Sequence, residues 1–144
     1  MADYRAGQRM MPTLVSATPT SDISLTRLGG RLIAGTIEPF HGDRLGVNEL
    51  GGEGPELLRA FDIAFGHVVW VGDVFGKPSV LAGSRGGDRK QLELIRWETG
   101  ERITLEEGVG PTQVTVYQEG EALCILSANH GSGEVTLYRL TEEA

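Results

Sequence analysis

Short apolar runs alternate with glycine turns along this chain, and the pattern occurs three times. The first copy reads Ile23-Ser24-Leu25-Thr26-Arg27-Leu28, a Gly29-Gly30 turn, Leu32-Ile33-Ala34-Gly35-Thr36, then Arg44-Leu45-Gly46-Val47. The second reads Val68-Val69-Trp70-Val71-Gly72-Asp73, Phe75-Gly76-Lys77, Val80-Leu81-Ala82-Gly83-Ser84, then Gln91-Leu92-Glu93-Leu94-Ile95. The third reads Val114-Thr115-Val116-Tyr117, Glu119-Gly120-Glu121, Cys124-Ile125-Leu126-Ser127-Ala128-Asn129, then Glu134-Val135-Thr136-Leu137-Tyr138. Apolar runs of this length between glycine turns predict strands. Gly29, Gly76 and Gly120 recur about every 45 residues, a spacing typical of propeller blades.

A propeller blade has four antiparallel strands. Leu57–Ile63 and Arg102–Glu106 supply a fourth strand to the first two copies, although 53–61 also fits one short turn of helix. The third copy stops at Leu140 without one. Met10–Ala17 can make a strand ahead of the Thr18–Asp22 turn, and it can fill the vacant position in its own chain or in a neighbour. The chain thus divides into an N-terminal arm, 1–22, and a three-repeat domain, 23–144. The expected fold is all-β: three four-stranded antiparallel blades forming a partial propeller. Closed propellers use about four to eight blades. Three leave apolar faces open, and such faces mark interfaces. The expectation is therefore a homo-oligomer, most simply a dimer of six blades. A three-bladed unit packed some other way, or a β-sandwich with the same strand count, remains open.

Composition narrows the partners. At 144 residues with 40% hydrophobic and 23% charged positions, the chain has the balance of a single globular domain. Its formal net charge of −7 disfavours non-specific nucleic-acid binding. No apolar window approaches the length of a transmembrane helix, and the first residues lack a secretory signal core, so no membrane partner and a cytoplasmic location are expected. Cys124 stands alone within an apolar strand and reads as a small buried hydrophobe.

Three strings resemble the FG-GAP/VCBS class of propeller repeat, and in particular the propeller domain of aldos-2-ulose dehydratase-like proteins: Thr36-Ile37-Glu38-Pro39-Phe40-His41-Gly42-Asp43, Gly66-His67-Val68-Val69-Trp70-Val71-Gly72-Asp73, and Ser127-Ala128-Asn129-His130-Gly131-Ser132-Gly133-Glu134-Val135-Thr136-Leu137-Tyr138. The likeness covers roughly residues 23 to 140, whereas members of that class run to about seven blades in one chain. The resemblance implies calcium loops between the first two strands. Here those loops are short, Asp73 is their one aspartate, and Phe75 and Lys77 replace acidic positions. Calcium wants about six to eight oxygen ligands, so it is not expected at these turns.

Ligand sites in propellers gather on the face built by the loops that enter each blade and those joining its second and third strands. His41, His67 and His130 all fall on such loops. With Glu38 they can bind a divalent metal, they can act as acid–base groups, or they can serve as turn residues bonded to backbone. Arg85 and Asp88 occupy the corresponding loop of copy two, where Arg85 can hold an anion or stand as a solvated charge. Thr36, Ser84 and Asn129 stand at matching places near the ends of the second strands. Trp70 lies on an inner strand, placed either to stack on a sugar or to pack the core. The ligand candidates are Glu38, His41, His67, Trp70, Arg85, Asn129 and His130, with a small molecule or sugar as ligand. No nucleophile elbow, phosphate loop or dinucleotide fingerprint occurs. The expected function is a non-enzymatic ligand-binding or scaffold module. The alternative implied by the resemblance is a metal- or His-assisted lyase acting on a sugar derivative.

Overall fold

In the computed structural model the described residues are Leu14, 17–86 and 89–143. They form eleven strands in three antiparallel sheets. Sheet one runs β1 (Ile23–Leu28), β2 (Arg31–Glu38), β3 (Arg44–Glu49), β4 (Glu56–Asp62). Sheet two runs β5 (Gly66–Val74), β6 (Lys77–Ser84), β7 (Gln91–Arg96), β8 (Glu101–Glu107). Sheet three has β9 (Pro111–Glu119), β10 (Ala122–Asn129) and β11 (Glu134–Leu140). Segment 56–62 is strand, which settles the strand-or-helix alternative there. Among the described residues no helix is long and apolar enough to cross a membrane. The strand proposed for Met10–Ala17 lies outside the described residues, apart from Leu14 and Ala17.

The hairpins set the register. Two-residue turns join Leu28 to Arg31, Val74 to Lys77 and Glu119 to Ala122. In the first two turns both central residues have positive φ (Gly29 54°, Gly30 81°; Phe75 55°, Gly76 76°), the conformation whose twist matches the flanking strands. Aligning the three hairpins puts Leu28, Val74 and Glu119 in one position. The second strands are then all eight residues long and end at Glu38, Ser84 and Asn129. Thr36 stands two residues earlier and is not the equivalent of Ser84 and Asn129.

The three sheets stack face to face with sheet two in the middle. One core, between sheets one and two, contains Ile33, Ile37, Leu45, Val47, Val69, Val71, Val80 and Trp97. The other, between sheets two and three, contains Leu81, Leu92, Leu94, Leu123 and Ile125, with Trp70, Val114 and Val116 packed against it. Cys124 is buried, as its place in an apolar strand implies. The inner strands lie side by side. The backbone N–H groups of Val69 and Val71 on β5 donate to Asp22 Oδ2 (2.9 Å) and Ser24 Oγ (3.0 Å), so a polar face of β1 satisfies the inner edge of β5.

Equivalent positions in the three sheets differ sharply in exposure. Val69 and Val71 are buried, and Val114 and Val116 pack on the second core. Their counterparts on β1, Ile23 and Leu25, are 70% and 60% exposed. On the opposite end of the stack, Val135 corresponds to buried Leu45 and Leu92, and Leu137 to buried Val47 and Leu94. Val135 and Leu137 are 74% and 57% exposed. Two end faces thus carry core residues in water.

Close packing also fixes Gly35, because a Cβ there would sit 2.7 Å from Val71 Cγ1 and 2.8 Å from Val69 Cγ2. Gly35→Ala is expected to cost about 1–3 kcal/mol through overpacking between sheets one and two. Urea unfolding checks this, and an unchanged midpoint would mean that the sheets move apart freely.

Candidate functional site

Strand alternation places the loops 39–43, 63–65, 85–90, 108–110 and 130–133 at one end of the stack, and the hairpin turns at the other. Backbone bonds stitch the loop end together. Gly66 N–H donates to Gly42 O (2.7 Å), Arg85 N–H to Phe65 O (3.0 Å), and His130 N–H to Gly110 O (3.1 Å). The last two bonds are equivalents in the repeat. Phe65 and Gly110 both have positive φ, 51° and 56°. Glycine takes this conformation freely, whereas a bulky side chain strains it. Phe65 therefore occupies a position that the third repeat gives to glycine.

Phe65 belongs to a ring cluster. The His41 ring lies 4.0 Å from Phe40, 5.0 Å from Phe65 and 4.9 Å from His67, measured between centroids. His41 itself has φ 52°, and its loop is so tight that a Cβ on Gly42 would meet the backbone of Glu38 and Pro39 at 2.4 Å. Phe40 and Phe65 are exposed, so the cluster offers an aromatic surface to solvent at the seam of sheets one and two. His67 is half-buried, and its Nδ1 is shielded from water without a hydrogen-bond partner among the described residues. Burial holds the His67 pKa below its ordinary value, and the Arg85 guanidinium and the His41 ring push it the same way. The Thr112 backbone and Asp22 oppose this more weakly.

The candidate residues therefore divide. His41 and His67 come together, with Arg85 close enough to act on His67 electrostatically. His130 is exposed on the third-sheet loop and is tied in through its backbone. Glu38 is buried at the end of β2 on the outer face of sheet one, where its Oε2 would lie 3.6 Å from a Cβ on Gly46. Asn129 is buried within sheet three, accepting from Ser127 Oγ (2.7 Å) and donating to Thr136 Oγ1 (3.2 Å) and Tyr138 Oη (3.0 Å). Trp70 lies over Gly72 and packs against the second core. Asp88 is outside the described residues. Among the described residues no group of three or more His, Cys, Asp or Glu is placed to hold a metal ion. Phe40 and Phe65 complete the cluster although neither stands among the ligand candidates read from the sequence. The signal for Phe65 was available, since the aligned repeats show glycine at its position.

A separate open recess of about 860 Å³ lies at the hairpin end, between the β1–β2 turn and the β3–β4 loop. The Arg31–Glu49 ion pair lines it (3.1 Å), and it shares no residue with the histidine loops. No protein-family model matches the chain, and a search of curated proteins finds no significant match.

The lowered His67 pKa carries a sign. The unfolded chain takes up a proton near pH 6.5 while folded His67 does not, so its contribution to stability is full above about pH 6.5 and is lost as pH falls through the folded value. The urea midpoint of the native protein is expected to fall between about pH 7 and 5. His67→Gln should flatten that dependence. An equally steep fall in the variant would remove His67 as its source.

Proposed function

We propose that this chain is a non-enzymatic interaction module that assembles with a second copy into a six-bladed ring. The observation that carries the reading is the exposure of Ile23 and Leu25 on one end face, and of Val135 and Leu137 on the other, at positions buried elsewhere in the repeat. The two faces are complementary in kind. One is the face by which sheets two and three receive the preceding sheet, and the other is the face by which sheets one and two offer themselves to the next. Stacking the third sheet of one copy on the first sheet of another repeats the two junctions already present in the chain.

The polar edge supports the same register. Asp22 and Ser24 cap the inner amides of β5. Their equivalents on β9 are Gln113 and Thr115, both exposed. In the ring these side chains face the inner amides of Ile23 and Leu25 on the partner. A head-to-tail contact closes if the rotation per blade completes a circle. Two copies of three blades fall within the usual range of about four to eight, and three copies do not.

Light scattering after gel filtration tests this. A mass of about 31 kDa is expected, twice the 15.5 kDa chain. Leu25→Arg and Leu137→Arg should each return 15.5 kDa with an unchanged far-ultraviolet spectrum. A native protein that stays at the single-chain mass at high concentration overturns the ring.

A ligand-binding role on the loop face is favoured by one specific observation, the strained Phe65. Strain kept at a position where glycine would relieve it points to a use for the side chain. Exposed rings stack on the apolar faces of sugars, and Arg85 adds a fork of donors. The His41 and His67 ring protons should shift on titration with simple hexoses, and Phe65→Gly should abolish the shift while keeping or raising stability. If none of the hexoses moves those signals, the sugar reading fails.

A further inference from the structure

We propose that the ring cluster at the loop end takes a sugar acid, with the carboxylate on Arg85 and the apolar face of the sugar on Phe65. The inference rests on the loop-face ligand reading above and adds to it the charge of the ligand.

Phe65 and Arg85 start from adjoining points of the backbone. The Arg85 N–H donates to Phe65 O (3.0 Å). Gly86, the next residue, lies against the Phe65 side chain, since a Cβ there would stand 2.6 Å from Phe65 Cβ and 2.9 Å from its Cγ. The positive φ of Phe65 thus holds an exposed ring beside the residue that follows Arg85. His41 closes the other side of that ring at 5.0 Å, and Phe40 extends the aromatic surface.

The charge at this end is positive. Among the described residues Arg31, Arg102 and Arg139 each pair with a glutamate, whereas the half-buried Arg85 makes no ion pair and no side-chain hydrogen bond. Arg85 and His41 both oppose protonation of His67. Asp22, already engaged by the Val69 N–H, offsets them only weakly. In the described parts of the loops at this end Asp43 is the acidic residue, against Arg85, Arg89 and Lys90. A chain of formal net charge −7 therefore keeps a cationic site where its aromatic rings meet solvent. That field repels a metal cation and attracts an anion. The planar guanidinium fork matches the two oxygens of a carboxylate. One guanidinium balances one negative charge, so a carboxylate suits the site better than a phosphate dianion. A neutral hexose would stack on Phe65 and leave the Arg85 donors to water.

Titration of the native protein with glucuronate and with glucose near neutral pH, followed by the His41 and His67 ring protons, tests this. Both sugars should shift these signals. A charge-assisted hydrogen bond is expected to favour glucuronate by about tenfold or more. In Arg85→Gln the two affinities should fall within about twofold of each other. That variant should keep its far-ultraviolet spectrum, because the Arg85 side chain bonds nothing in the fold. Added salt should weaken glucuronate and spare glucose. Equal affinity of the native protein for the two sugars overturns the sugar-acid inference and leaves the neutral-sugar reading standing. Silence toward both overturns both. A preference for glucuronate that survives in Arg85→Gln, tighter binding of a hexose phosphate, or an equal response to acetate would each overturn the placement of a sugar carboxylate on Arg85.

Discussion

A β-sheet has two faces, and a stack of three sheets buries four of the six. Everything particular about this molecule follows from what happens to the remaining two. Burial of apolar area contributes roughly 25 cal/mol per Å², and it is this term that holds sheet two between its neighbours through Val69, Val71, Leu81 and Leu94. The same residue types recur on the end faces without cover. Exposed Ile23 and Leu25 at one end, and Val135 and Leu137 at the other, stand in water at positions that the repeat buries elsewhere.

Backbone geometry explains why the stack is ordered rather than merely collapsed. Equal second strands and two-residue turns fix the register of each sheet. Asp22 and Ser24 then fix the height of sheet one against sheet two by meeting two particular amides. Polar groups at an inner edge specify position because an unpaired buried amide is costly. The loop end inherits this order. His41 and His67 come from different sheets, and their rings meet at 4.9 Å only because the junction between those sheets is set.

Much of the architecture was legible in the chain. β1 matches the apolar run Ile23–Leu28 residue for residue, since a strand bounded by a polar turn and a Gly-Gly pair leaves little freedom. The convergence of His41 and His67 was legible from loop order alone. Other features depend on context that a linear pattern does not carry. Trp70 reads equally as a stacking surface and as core, and only its packing against the second core, with Gly72 two residues along the same strand leaving room for its ring, decides for core. Phe40 and Phe65 sit among turn residues, where single aromatic residues carry no periodic signal. The alignment of Thr36 with Ser84 and Asn129 failed because it counted from the apolar runs, whereas the hairpins count from the turns.

Unlike end faces also have a consequence for mixtures. In an isologous dimer one spoiled patch removes a subunit from the population. In the proposed ring a copy damaged on β1 still presents an intact third sheet, and a copy damaged on β11 still presents an intact first sheet. Each can occupy one side of a healthy subunit without closing the circle. Such variants would act as terminators, holding partners in half-made assemblies, and the phenotype of a mixed population would be worse than the fraction of altered chains in it.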